Sequence, residues 1–374
     1  MRDPAPEPRT GDRTDAFTPA GLTAAVFAGS SGPPSDSGRN KNFFPLRGRP
    51  IVQRQIDLVR SMGFARIVLV TETSRLPELD VPKGTIVLEA SRRQDENFAA
   101  VKDAGAFGPD DRCLVLFGDT PLVSQAMVKD FLARCRESPA DIHHGLVPYV
   151  FAEPFMDFFP RDHVGRKPFH AAEFLARLGC LSLARPAGFD PRSVRARIAA
   201  VMRGRKQDPG SGGLAGVLIA RARVLWGGVR FMGPKGAWMG VAAVVAHWFH
   251  ERGFPDAARF LRGPMTLERL DEVATRMLGC PSRLLPCPFG GASLDVDNDV
   301  DLSVHEQYFD HMLALQALQE RIASKLVEPS FDMSWEQLAA LDAVDPLVAA
   351  ELRRHPETYR EQQRILRRFP VGAP

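Results

Sequence analysis

Four charged side chains stand in or beside loops that adjoin apolar runs: Lys41, Asp119, Asp295 and Asp297. A lysine ammonium is a compact positive charge that phosphate oxygens can share. Carboxylates are hard oxygen donors of the kind magnesium takes. Asp295 and Asp297, two residues apart in Leu294-Asp-Val-Asp-Asn-Asp-Val-Asp301, fall on one side of an extended chain. Several carboxylates so close repel one another unless a cation lies between them. The run lacks the central glycine and terminal glutamate of a calcium-binding EF-hand loop. Together these residue types point to metal-assisted chemistry on phosphates.

The elements that must position them follow from the pattern around each. Ala24 to Ala28 is a continuous apolar run, as in a strand covered on both faces, and Gly29, Gly32 and Gly38 let the loop after it turn tightly. Backbone N–H groups in such a loop make an anion-sized concavity, with Lys41 just beyond it. The loop has neither the GxGxxG nor the GxxxxGK[ST] spacing. Pro50 opens a helix with Val52, Ile56, Val59 and Met62 on one face, and Gly63 ends it. Arg66 to Thr71 and Thr85 to Glu89 read as strands, and residues 91–104 as a loop leading into a helix. In that segment Glu96 and Asn97 either cap the helix or meet a ligand. Cys113 to Phe117 is a further buried strand; Gly118 permits close approach and Asp119 emerges at the strand's C-terminal end, where sheets of this class bind ligands.

These residues carry a resemblance. The order strand, Ala28-Gly29, loop, Lys41, Phe44-Pro45-Leu46, Gly48-Arg49-Pro50, helix resembles the opening of the MobA-like and sugar-phosphate nucleotidyltransferases. Gly118-Asp-Thr-Pro-Leu122 is similar to that family's Gly-Asp-x-Pro-Leu segment, and 295–302 to the segment closing its catalytic domain. Pro33, Pro34, Ser35 and Asp36 replace the family's Gly-Thr-Arg-Met continuation, leaving Arg39 as the nearby arginine. The resemblance implies catalytic roles for Lys41 and Asp119. It implies nucleotide contacts at Ala28, Gly29, Ser30, Gly32, Arg39, Lys41, Asn97 and Gly118, and Mg2+ on Asp119, Asp295 and Asp297. The partners implied are a nucleoside triphosphate and a phosphorylated small-molecule acceptor, the acceptor meeting Lys167, Arg205 and Lys206. Two other readings stay open: a glycosyltransferase of the related fold and a nucleotide-binding regulator without catalysis.

The expected fold is α/β, a doubly wound, mostly parallel, Rossmann-like sheet, because strands alternate with helices. Residues 1–20, rich in Pro, Asp, Arg and Thr, read as a disordered leader. The nucleotidyltransferase domain is expected over 21–328, with an inserted acceptor-side region at 151–281 and a helical appendage at 329–374. Residues 140–150 and 282–289 read as strands, and 302–327 as a long helix. Ser334 with Gln337, and Asp345 before Pro346, mark two more helix starts. His143 and His144, adjacent on a strand, point to opposite faces. His247 and His250 share a helix face without a third ligand in the sequence pattern and read as structural.

Composition narrows the class. Of 374 residues 44% are hydrophobic and 25% charged, values ordinary for a soluble globular chain. A net charge of +3 implies no bulk attraction to nucleic acid, so any phosphate binding depends on local placement. No apolar run approaches the roughly 20 residues of a membrane helix. Five cysteines without a CxxC fit a reducing cytoplasm. Oligomeric state is not legible in the pattern.

Overall fold

The computed structural model describes residues 17–29, 40–105, 107–160, 169–191, 233–250, 252–326 and 334–369. The site sits on one mixed sheet. Its strands are β1 (Thr23–Phe27), β4 (Arg66–Thr71), β5 (Ile86–Glu89), β6 (Cys113–Phe117), β7 (Ile142–Pro148), β9 (Leu175–Ala184) and β10 (Ser282–Pro286), in the order β10-β7-β9-β6-β1-β4-β5. A two-residue β8 (Phe169–His170) pairs with β9. All neighbouring pairs are parallel except those made by β9, which runs antiparallel to both β6 and β7. A separate short ribbon, β2 (Pro45–Leu46) with β3 (Arg49–Pro50), leads into the first helix.

The sheet is doubly wound because its strands are apolar on both faces. Every residue of β1 is buried, and Val68, Leu69, Val70, Leu114, Val115 and Leu116 are nearly inaccessible. One face packs on α1 (Ile51–Met62) and α3 (Gln125–Arg136), which supply Val52, Ile56, Val59, Met127, Val128 and Phe131 to the main core. The other face takes α2 (Gln94–Ala104), through Val101 and Phe98. Gly63 ends α1 in the left-handed conformation, φ 71°, which a residue without Cβ adopts freely. Right-handed crossovers of this kind put the C-terminal ends of the parallel strands, and the loops leaving them, on one edge.

Three boundaries differ from expectation. The segment read as strand through residue 150 turns at Pro148 into α4 (Tyr149–Met156), because Phe151, Ala152 and Phe155 recur at helical spacing and are all buried. The last strand stops at Pro286, and the chain then forms a 3-10 turn at Gly290–Ser293. The long helix begins at Asp299 rather than Leu302, its acidic first turn (Asp299, Asp301) complementing the helix dipole; it is α8 (Asp299–Leu326).

Between β9 and β10 lie α5 (233–250), α6 (Pro255–Arg262) and α7 (Leu267–Leu278). After α8 come α9 (Trp335–Val344), α10 (Pro346–Arg354) and α11 (Pro356–Arg368). Ser334 caps α9 by accepting from the Gln337 N–H, and Asp345 caps α10 by accepting from Val348. Leu338, Leu341, Val348, Leu352, Tyr359, Ile365 and Leu366 join the same buried cluster as β1, β6 and α3. The C-terminal helices therefore pack as part of the main core. Arginines of this segment form local ion pairs, Arg353 with Asp342 and Arg364 with Glu361. All five cysteines are free and buried, and burial pushes the Cys113 and Cys287 thiols up to about 12. Among the described residues no helix is long and apolar enough to cross a membrane.

Candidate functional site

Lys41 starts a 3-10 turn, Lys41–Phe43, and the asparagines on either side hold that turn to the sheet. The Asn40 side chain donates to the carbonyl of Ala28 (3.0 Å) and to Glu72 (2.8 Å), while its oxygen accepts from the Asn42 backbone and side chain. Asn42 also donates to the carbonyl of Gly29 at 3.4 Å. Lys41 is thus fixed against the ends of β1 and β4 from both sides. The sequence pattern singles out the lysine but not its neighbours; the Asn-Lys-Asn bracket is the signal that marks them.

Asp119 is held from α1 and from the strand it follows. Gly118 donates its N–H to the Phe27 carbonyl (2.8 Å), keeping β6 in register with β1 to its last residue. Thr120 Oγ1 donates back to the Phe117 carbonyl at 2.7 Å. From α1, Gln55 donates to the Thr120 carbonyl and Arg54 to that of Pro121. A Cβ at Gly118 would lie 2.7 Å from Asn42 Oδ1 and 3.1 Å from the Phe27 carbonyl oxygen, so glycine is required there. Gly29 is constrained the same way by Ala90, whose Cβ would be 2.7 Å from an added methyl.

The third segment of the site arrives from far along the chain. Val296 donates its N–H to the Asp119 carbonyl (2.8 Å), which brings Asp295 and Asp297 beside Asp119. Asp301, buried in the first turn of α8, accepts from the Asp297 N–H at 2.9 Å and has its own N–H capped by Asn298. His305 is buried one turn further on, its Nδ1 2.8 Å from the Asp301 carbonyl oxygen. The sequence marks Asp301 only as a helix start; its carboxylate in fact fixes the backbone of a neighbouring acid.

Asp119, Asp295 and Asp297 each offer a carboxylate oxygen within 4.8 Å of the other two. Lys41 Nζ lies 2.6 Å from Asp119 and 2.5 Å from Asp297. Burial alone would lower the lysine's pKa, but the charges and hydrogen bonds of the two aspartates outweigh it and raise it well above the ordinary lysine range. These contacts favour the ammonium over the neutral amine. Hard oxygen donors converging from two chain segments, with a cation drawn between them, are a donor set that could hold a divalent metal ion. Asp119 is mostly covered, whereas Asp297 is 55% exposed, so the cluster opens to solvent on the α8 side.

The remaining expected residues divide. Ala28 and Gly118 line the strand ends beside Lys41. Asn97 is buried near Gly29, and both ends of its amide are engaged by Ser91: Oδ1 accepts from the Ser91 N–H (2.7 Å) and Nδ2 donates to its carbonyl (2.9 Å). Asn97 in this arrangement shapes the 90–93 loop, and Glu96 hydrogen-bonds the Ser91 hydroxyl. Ser30, Gly32, Arg39, Lys167, Arg205 and Lys206 lie outside the described residues. His143 and His144 do face opposite sides, one on the Ser138 carbonyl and the other on the Ser182 hydroxyl. His247 and His250 acquire a neighbour that the sequence did not connect to them, His170 of β8, with ring centroids 6.0 and 5.5 Å away.

Comparison with known proteins gives three likenesses. Residues 24–173 match the model of the MobA-like NTP transferase domain. The bifunctional protein GlmU of Paramagnetospirillum magneticum is 32% identical over 153 residues, a match covering 39% of this chain and 31% of that protein. A hypothetical transferase structure from Thermus thermophilus superposes with a TM-score of 0.53 at 22% identity, covering 75% of this chain and 99% of that one. The last likeness shows the fold, and the first places the resemblance on the part of the chain that carries Lys41 and Asp119.

Proposed function

We propose that the chain is a magnesium-dependent nucleotidyltransferase that joins a nucleoside triphosphate to a phosphorylated acceptor and releases pyrophosphate. The observation that carries this reading is the convergence of Lys41 with Asp119, Asp295 and Asp297 at the C-terminal edge of a doubly wound sheet. The matched MobA-like domain supports it, since it spans the loop, Lys41 and Asp119.

In this reading an anionic oxygen of the acceptor phosphate attacks the α-phosphorus of the triphosphate. A new oxygen–phosphorus bond forms as the bond to the bridging oxygen of the β-phosphate breaks, and pyrophosphate carries away the electron pair. The acceptor needs no activating base because it is already an anion. Asp119, Asp295 and Asp297 would hold magnesium, which supplies positive charge to the phosphate oxygens. Lys41 has a second role. Its charge neutralises what accumulates on the leaving pyrophosphate, and the Asn40 and Asn42 bracket keeps it oriented without a reorganisation step. Positioning and charge stabilisation account for the catalysis, as in other phosphoryl transfers.

Pyrophosphate release from ATP, CTP, GTP and UTP, with magnesium and a panel of sugar-1-phosphates, cyclitol phosphates and molybdopterin, tests the proposal. One triphosphate should support release, and Lys41→Ala or Asp119→Ala should reduce it about a hundredfold, the loss of roughly 3 kcal/mol of transition-state stabilisation. Asp119→Ala with undiminished turnover contradicts the assignment. Tight triphosphate binding without release from any pair would instead favour a nucleotide-binding regulator.

A further inference from the structure

A second site lies on the far side of α4, away from the carboxylate cluster. A cavity of about 310 Å³ opens between α4, the start of β9, α5, α6 and α11. That volume is in the range of small-molecule sites. None of the residues lining it belongs to the Lys41, Asp119, Asp295 and Asp297 centre. Two of its walls, α6 and α11, lie outside the segment that matches the MobA-like domain.

Its basic residues have few partners among the described residues. Arg259 and Arg262, three apart on α6, both line it, as does His250 from the end of α5. Arg262 makes no ion pair among the described residues, and its Nε is buried without a hydrogen-bond acceptor. Burial and the neighbouring charge of Arg259 hold its guanidinium below the usual range. Among the described residues Arg259 reaches the exposed Asp256, at 3.4 Å. Beside His250 is His170, 2% exposed, with no hydrogen-bond partner on either ring nitrogen among the described residues. Burial pushes His170 down to about 4, and His250, Arg262 and His247 around it add to the effect.

The two lining carboxylates offset this only in part: the charge of Glu361 acts on Arg262, against the larger lowering by burial and by Arg259. Glu361 is committed to Arg364 at 2.6 Å. Glu153 is raised from its ordinary value by burial and by repulsion from Asp157. The buried Nε of Arg262 has no acceptor among the described residues, and an anion that bonds it satisfies that donor.

We propose that this cavity binds a phosphate-bearing small molecule, its phosphate held by Arg262 and Arg259 with His250 as a further donor. Guanidinium groups pair with phosphate oxygens in a planar, two-pronged geometry, and two of them one helical turn apart suit a tetrahedral dianion. The cavity exceeds what inorganic phosphate fills and leaves room for the rest of a phosphate monoester against Tyr149, Phe174 and Ile365. Bound there, the ligand would tie α6 to α11. The site is independent of the transfer reaction proposed above, and its test needs no nucleotide.

Thermal unfolding of the full chain is followed while inorganic phosphate is titrated against chloride at matched ionic strength. The wild-type Tm should rise saturably. Lys41→Ala should keep the rise, because the ammonium it removes belongs to the other site. Arg262→Gln should move the half-saturating phosphate concentration upward at least tenfold. Arg259→Gln, at a largely exposed position where folding is not at risk, should move it several-fold. No saturable rise in the wild type overturns the proposal. So does an unchanged midpoint in either arginine variant that folds, or a rise that disappears in Lys41→Ala and persists in Arg262→Gln.

Discussion

Lys41 Nζ lies 2.5 Å from Oδ1 of Asp297, a residue 256 positions further along the chain. The same ammonium lies 2.6 Å from Asp119, so one side chain bridges the end of β6 and the approach to α8. Two carboxylates separated by much of the chain thus share a single counter-charge. A divalent cation added to this cluster competes with the lysine for the same oxygens, which would release the ammonium toward an anionic ligand.

Asp301 is the residue through which α8 orients that cluster. Its carboxylate accepts from the Asp297 backbone and is buried in the helix's first turn. Partners that orient metal ligands typically contribute tenfold to a hundredfold in metal affinity. Asp301→Ala should weaken magnesium binding, measured by calorimetry, about tenfold or more, with the metal-free fold retained. Unchanged magnesium affinity would show that Asp297 is fixed by other contacts.

Gly118 is where the lysine turn and the aspartate strand meet. An added Cβ would press on Asn42 Oδ1 at 2.7 Å, on Val52 at 3.0 Å and on the Phe27 carbonyl at 3.1 Å. Two of these neighbours are held by backbone geometry or by a network, so relief requires β6 or the Lys41 turn to move. Gly118→Ala should destabilise folding by about 1–3 kcal/mol in urea unfolding. It should also displace Lys41 from Asp119. A variant with wild-type stability and turnover would mean that Asn42 swings aside freely.

His143 makes stability depend on pH in a defined direction. It is fully buried, its Nε2 2.7 Å from the Ser138 carbonyl oxygen, and burial pushes its pKa down to about 4. The unfolded chain, with an ordinary pKa near 6.5, takes up a proton that the folded chain refuses until pH 4. Its contribution is therefore complete above about pH 6.5 and lost as pH falls from there toward 4. At pH 5 the loss from this one group is about 2 kcal/mol, since each tenfold difference in proton affinity between the folded and unfolded chain is worth about 1.36 kcal/mol. Urea unfolding at pH 7 and pH 5 should show His143→Gln losing less stability than the wild type between the two. Equal losses would place the titration elsewhere.

Much of this molecule is determined locally and could be read from the chain. β4 spans the expected Arg66–Thr71, α1 ends at Gly63, and the caps at Ser334 and Asp345 form as their residue types dictate. These features depend on periodicity, on a missing Cβ or on a side-chain oxygen within a few residues, all of which a sequence carries explicitly. Lys41, Asp119, Asp295 and Asp297 were also legible as chemistry, because the lysine closes a glycine-rich loop and the aspartates stand at a strand end or in an acidic segment. Their convergence was not, since it depends on Val296 meeting the Asp119 carbonyl across a sheet whose strand order no local pattern encodes. Tyr149 entering a helix instead of extending β7 was decided by Phe151, Ala152 and Phe155 finding a core to fill. Likewise the C-terminal helices join the main core because Tyr359, Ile365 and Leu366 gain burial there that an isolated helix cannot provide. Arg262, His250 and His170 meet only because β8, α5 and α6 fold back against one another. Burial and contact across long sequence separations are properties of the packed chain, and tertiary structure alone supplied them.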